Sequence, residues 1–201
     1  THGGALIVAG GANFPQAPPW EGGRKVWRSK ILVLEPEGEA WRDGGRLEGP
    51  RAYGAAVSTA HGVALLGGSD SERHHAECWL LSWDPASRSV DRTALPTLPV
   101  PTAFPAAAVL GDVVYLAAGS EGPEAVTHAF WSLDLSRPAA ERRWEERPPW
   151  PGPARHKAVA AARNPLGGVV SRRETAAVAD TDDDARTNAG DPQAWTSARR
   201  A

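Results

Sequence analysis

Hydrophobic and polar residues alternate along this chain in short bursts, not at helical spacing. Three aliphatic runs stand out: Ala5-Leu6-Ile7-Val8-Ala9, Gly62-Val63-Ala64-Leu65-Leu66 and Asp112-Val113-Val114-Tyr115-Leu116-Ala117. Each ends in a pair of small residues, Gly10-Gly11, Gly67-Gly68 and Ala118-Gly119. Short β-prone runs bounded by turn formers predict buried strands. A loop and a second apolar stretch follow each one, at 26–34, 78–83 and 129–135. A turn then leads to a polar stretch: one carrying Trp41, one at 90–95 and one carrying Trp144.

The small pairs end at 11, 68 and 119, so the unit recurs after 57 and then 51 residues. Periods near 50 are those of kelch-type propeller blades. A further strand precedes two of the pairs, at 51–58 and 101–109, through turns at 59–62 and 111–112 that carry Gly and Asp. Each unit therefore predicts a four-stranded blade. Small residues let neighbouring blades approach near the axis, and Trp41, Trp83 and Trp144 fill the wider space outside. An ordinary β-sandwich would not repeat the order of elements as well as the glycines. The expected fold is all-β: a partial kelch-type β-propeller of about three blades over residues 1–168, with blade ends near 48, 99 and 151.

The chain starts with Thr1, contains no Met and enters within a blade, so it reads as a fragment. A fourth unit starts at 153–160, parallel to Pro50-Arg51-Ala52-Tyr53, but its glycine pair at 168 arrives early. Residues 169–201 lose all periodicity and carry Asp182-Asp183-Asp184, which predicts a disordered, irregular tail with at most a short helix at 175–179. A change of reading frame near 160–170 and a natural variable tail both account for it. Open flanks of an unclosed propeller predict poor stability for the isolated chain.

Composition narrows the function. Lys+Arg 22 against Asp+Glu 24 leaves a net charge of −2, which disfavours nucleic acid as a partner. The longest uncharged run near the middle of the chain, 93–111, holds Pro96, Pro99, Pro101 and Pro105 and is no membrane span. The single cysteine, Cys78, excludes an internal disulfide and reads as inert core. One Cys and two Tyr do not support a copper-oxidase site. The pair His74-His75 lacks a third metal ligand, and neither a metal nor a cofactor is expected.

The stretch Gly10-Gly11-Ala12-Asn13-Phe14-Pro15, with Pro18-Pro19-Trp20-Glu21-Gly22-Gly23 and Lys25-Val26-Trp27, resembles a blade of the kelch-repeat N-acetylneuraminate epimerases. It is similar in particular to their cyclically permuted mutarotase relatives. Arg51-Ala52-Tyr53-Gly54 and the loop Gly67-Gly68-Ser69-Asp70-Ser71-Glu72-Arg73-His74-His75-Ala76 extend the likeness, which covers roughly residues 3 to 162. The resemblance implies a six-bladed propeller that interconverts the anomers of sialic acid. The acidic residue and arginine tied to catalysis in the epimerases align to a later blade. No position in 1–201 matches them, so no catalytic residue is assigned and impaired or absent activity is expected.

Propeller topology places the loop before a blade's first strand and the loop after its glycine pair on one face. That gathers Arg51 and Tyr53 with Asp70, Glu72, Arg73 and His74, bordered by Asn13, Trp20 and Lys25 of the 12–25 loop. Arginine suits a sugar carboxylate because its fork binds both oxygens. The candidate substrate-binding residues are Arg51, Tyr53, Arg73, His74, Asn13 and Trp20, and the expected partner is a small sugar acid. Each has a structural alternative: Arg51 could satisfy loop carbonyls, and Asn13 and Trp20 could pin their loop. The rival reading is a kelch interaction module without catalysis. Oligomeric state stays open, as do periplasm and cytoplasm.

Overall fold

A computed structural model describes residues 1–122 and 125–162. The expected tail at 169–201 lies outside the described residues.

The first unit contains β1 (Leu6–Ala9), a small ribbon of β2 (Ala12–Asn13) and β3 (Val26–Trp27), then β4 (Lys30–Leu34) and β5 (Arg42–Arg46). The second runs through β6 (Ala55–Thr59), β7 (Gly62–Leu66), β8 (Cys78–Asp84) and β9 (Ser89–Leu95). The third is β10 (Ala106–Leu110), β11 (Val113–Ala117), β12 (Phe130–Asp134) and β13 (Trp144–Arg147). The second and third units are four-stranded antiparallel meanders, β6-β7-β8-β9 and β10-β11-β12-β13. The first sheet has three strands, β1-β4-β5. These are the blades of a partial β-propeller.

The blades pack face to face. Ala64, Leu66, Cys78, Leu80 and Leu95 of the second sheet meet Val114, Leu116, Leu133 and Trp144 of the third in one buried cluster. Trp83, Leu65 and Trp79 of the second sheet pack against Ala5, Ile7, Ile31 and Val33 of the first unit. A fully buried leucine such as Leu66 or Leu133 contributes roughly 2 kcal/mol through its area alone.

Backbone hydrogen bonds stitch the blades at the inner end. The N–H groups of Gly11, Gly68 and Gly119 donate to the carbonyls of Arg51, Thr102 and Arg155, each in the following unit, at 2.8, 2.8 and 3.0 Å. Phe104 N–H donates to Tyr53 O (2.7 Å) and Lys157 N–H to Phe104 O (3.1 Å). Such close approach explains the small pairs. A Cβ on Gly68 would stand 2.6 Å from Ala52 O, and the φ of Gly68 is 106°. Gly67 is also left-handed (φ 57°), whereas its counterpart Ala118 takes the same conformation (φ 62°) with a side chain.

Two expectations need correction. The 26–34 stretch is not one strand: it divides at Arg28 and Ser29, whose carbonyls accept the N–H groups of Arg51 (2.9 Å) and Leu47 (2.7 Å). Trp41 does not pack between blades. It is 47% exposed, because it precedes β5 in the β4–β5 connection, whereas Trp144 opens β13 and is buried.

Candidate functional site

The inner ends of the blades carry two linked groups of side chains. The first is a row of rings and ammonium groups. Tyr53, Phe104 and Lys157 occupy the same place in successive units, and all three backbones are left-handed, with φ 61°, 55° and 59°. A non-glycine residue in this region is strained, and such strain concentrates where a side chain must be aimed. The Tyr53 and Phe104 rings lie 4.7 Å apart between centroids. Lys157 Nζ sits 5.4 Å from the Phe104 ring centre, and the His156 ring meets Phe104 edge-on at 5.9 Å.

The 12–25 loop joins this row through Lys25. Its ammonium lies 5.1 Å from the ring of Tyr53, 5.4 Å from Trp27 and 5.7 Å from Phe14, within cation–π range of all three. Asn13 Oδ1 accepts a hydrogen bond from Arg28 Nε (3.0 Å), which leaves the Asn13 amide N–H groups to donate elsewhere. Trp20 stands on a single 3-10 turn, Pro19–Glu21, with its side chain 82% exposed.

The second group is a charge network under the loop at 69–77. Arg51 is buried, and its Nη1 donates to the carbonyls of Glu77 (2.7 Å) and Gly67 (3.3 Å) while Nη2 reaches Glu77 Oε2 (3.4 Å). Its fork is thus committed inside the protein. Glu77 also accepts Arg73 Nη2 at Oε1 (2.9 Å) and meets His75 Nδ1 at Oε2 (3.2 Å). On its other side the His75 ring faces Asp70 Oδ2 (3.1 Å). Asp70 Oδ1 accepts the N–H groups of Glu72 (2.7 Å) and Arg73 (2.9 Å), which closes the turn.

Partial burial pushes the Glu77 carboxyl up, but its own backbone N–H, Arg73 and Arg51 outweigh this and hold it at about 2. Burial similarly opposes ionisation of Asp70, yet the two turn N–H groups and His75 keep its pKa below the usual carboxylate value. Burial lowers the pKa of Arg51. Burial drives the Cys78 thiol up to about 11, which leaves it unreactive.

The structure therefore brings Arg51 and Arg73 together through Glu77, and joins Tyr53 to the 12–25 loop through Lys25. The adjacent histidines divide: His75 is buried in the network, and His74 is half-buried with a sequestered Nδ1 that has no hydrogen-bond partner. Sequence reasoning missed Phe14, Trp27, Phe104, His156 and Lys157. The repeat register could have found two of them, because Phe104 and Lys157 stand where Tyr53 does. Among the described residues no group of three or more His, Cys, Asp or Glu is placed to hold a metal ion. No helix there is long and apolar enough to cross a membrane. A groove of about 910 Å³ around Glu35, Trp41, Arg42 and Arg88 contains none of the candidate residues.

Over part of its length the chain resembles N-acetylneuraminate epimerases. It is 34% identical over 96 residues to the protein of that name from Brucella suis, which is 43% of this chain and 24% of the relative. The Vibrio cholerae protein of the same name is 35% identical over 91 residues, 40% of this chain and 23% of the relative. A Salmonella enteritidis protein so named is 35% identical over 78 residues, 34% of this chain and 20% of that one. The match thus spans about a quarter of the length of these curated relatives. No family model matches the chain. Among solved structures, one titled "Structure of YjhT" aligns with a TM-score of 0.64 at 16% identity, over 81% of this chain and 54% of that one. This likeness shows the fold, a kelch-type propeller present in part.

Proposed function

We propose that the chain supplies part of a sialic-acid site in a mutarotase-type propeller. The observation that carries this reading is the row Lys25–Tyr53–Phe104–Lys157 at the inner end of the blades. Aromatic faces suit the C–H face of a pyranose, and ammonium groups suit the carboxylate that distinguishes a sugar acid from a neutral sugar. The named relatives support the same substrate class.

In anomer exchange the anomeric hydroxyl gives its proton to a base while the ring C–O bond opens and the ring oxygen takes up a proton. Reclosure on the other face reverses both transfers. In this proposal Lys25 and Arg73 hold the carboxylate, since Arg73 keeps 59% of its side chain in solvent while one nitrogen bonds Glu77. Tyr53 and Trp20 offer ring faces, and Asn13 and His74 offer polar contacts. Arg51 acts as a positioning residue through Glu77. The acid and base belong to no assigned residue of this chain, so binding with weak or absent exchange is expected.

Two measurements test this. NMR titration with N-acetylneuraminate should shift resonances of Tyr53 and Trp20, and Lys25→Ala should weaken binding about tenfold, the loss of one charge-assisted contact. NMR of freshly dissolved sialic acid should show faster anomer exchange with an intact full-length relative than with this chain. Failure of the relative to accelerate exchange would sink the enzymatic reading. Absence of sialic-acid binding here would sink the site.

A further inference from the structure

N-acetylneuraminate carries one carboxylate, and an ammonium and a guanidinium, Lys25 and Arg73, are enough to hold it. Lys157 is then left over. Its ammonium lies 5.4 Å from the Phe104 ring centre, whereas that of Lys25 lies 5.1 Å from the ring centre of Tyr53. The two rings are 4.7 Å apart and tilted by 34°. Each ring of the pair therefore has its own cation. The row follows the units in chain order, from Lys25 in the first, through Tyr53 and Phe104, to Lys157.

Lys157 is exposed, yet it is held. An exposed lysine ordinarily keeps its rotamer freedom. Here the backbone is tied by the Lys157 N–H, which donates to Phe104 O at 3.1 Å, and φ is 59°. The face of Phe104 then steadies the ammonium. A ring attracts a cation without neutralising it. Among the described residues neither Lys25 nor Lys157 has a carboxylate within ion-pair distance. The carboxylates of the neighbouring network, Asp70 and Glu77, are taken up by His75, Arg51 and Arg73. His156 meets the same Phe104 ring edge-on at 5.9 Å and adds a ring N–H on that side. An ammonium and a ring N–H on one aromatic face form a donor set for an anion.

We propose that the row takes a sugar acid bearing a second anionic group. Lys25 and Arg73 hold the first carboxylate, the Tyr53–Phe104 pair lies against the sugar, and Lys157 with His156 holds the second anion. The proposal rests on the sialic-acid reading of this site and names the substrate class within it. The second anion is the carboxylate of a second, linked sugar-acid unit or a phosphate on the same unit. Both present anionic oxygens to the same donors, and a neutral extension would leave the Lys157 charge unmatched.

Calorimetric titration of the full chain with three probes tests this: N-acetylneuraminate, the disaccharide of two N-acetylneuraminate units, and N-acetylneuraminate phosphorylated on its glycerol side chain. At least one of the two doubly anionic probes should bind about tenfold tighter than N-acetylneuraminate, the gain from one charge-assisted contact. Whichever probe gains identifies the source of the second anion. Lys157→Gln should bring the affinity ratio close to one, and Lys157→Arg should keep most of it because the charge is retained. Equal affinity for all three probes, or a preference that survives Lys157→Gln, would overturn the proposal while the sialic-acid reading stands. Absence of binding by all three would sink that reading and this proposal with it.

Discussion

The loops that follow the small pairs in the second and third blades share their anchoring backbone contacts and differ in chemistry. In both, a buried serine bridges to the residue that opens the blade: Ser69 pairs with Ala52, and Ser120 with Ala103. In both, a later residue closes the loop onto the last small residue: His75 N–H, seven positions on, donates to Gly68 O at 2.8 Å, and Thr127 N–H, eight positions on, donates to Gly119 O at 3.0 Å. The second blade fills this frame with ions, Arg51, Asp70, Arg73, His75 and Glu77. The third places hydroxyls there: Thr102 Oγ1 donates to Val100 O (2.8 Å), and Thr127 Oγ1 accepts Ala129 N–H (3.0 Å). The difference teaches that backbone contacts between blades set the frame, while the loop's chemistry is free to specialise.

The sharpest way to break the comparison is Glu77→Ala. It leaves the Arg51 guanidinium buried without its carboxylate, and denaturant unfolding should report a loss of about 2–3 kcal/mol, reduced from the cost for a fully buried pair because Glu77 is partly exposed. Rebuilding the site in the third blade's style, with Arg51→Thr and Glu77→Ala together, should cost less than the two single losses added, by about 1–2 kcal/mol of coupling. Strict additivity would mean that the two side chains do not act as a unit.

Acid should distinguish the same two loops more gently. The Glu77 pKa is lowered to about 2 from an ordinary 4.5. Its contribution to stability is therefore complete above about pH 5 and lost as pH falls from about 4.5 through 2. Hydrogen exchange should show the 69–77 loop opening in that window before the 120–129 loop does. Equal opening of both loops would contradict the electrostatic account. Asp70, also lowered, adds to the effect with the same sign.

The frame was legible in the sequence, and the network only in part, through Arg51, Asp70 and Arg73. The small pairs and the aliphatic runs before them predicted β7, β11 and their partners, because those positions answer to the repeat. Tyr53, Asn13, Arg73 and His74 were read from loop motifs, and Lys25 was placed beside them. Glu77 escaped notice because a single carboxylate before an apolar strand carries no periodic signal, and its partner Arg51 lies 26 residues away. Trp41 was misplaced because its ring suggested packing while its position fell in a connection. Phe104 and Lys157 were hidden by side-chain identity, since a phenol, a phenyl and an ammonium share only their backbone conformation.

The smallest expected effects probe the frame itself. Trp20→Ala should leave the unfolding midpoint unchanged within about 0.5 kcal/mol, as its ring is exposed on the loop tip. Ala118→Gly should raise stability by up to about 1 kcal/mol. Ala118 holds the left-handed conformation that glycine holds at 10 and 67, and a Cβ is disfavoured there. The greater freedom of glycine in the unfolded chain subtracts from the gain. Thermal unfolding of the two chains side by side decides the sign. A loss of stability would mean that Ala118, which is only 3% exposed, contributes more through its packed methyl group than it costs through its backbone. The small pair of the third blade would then be held by side-chain burial, and the pair of the second by backbone freedom.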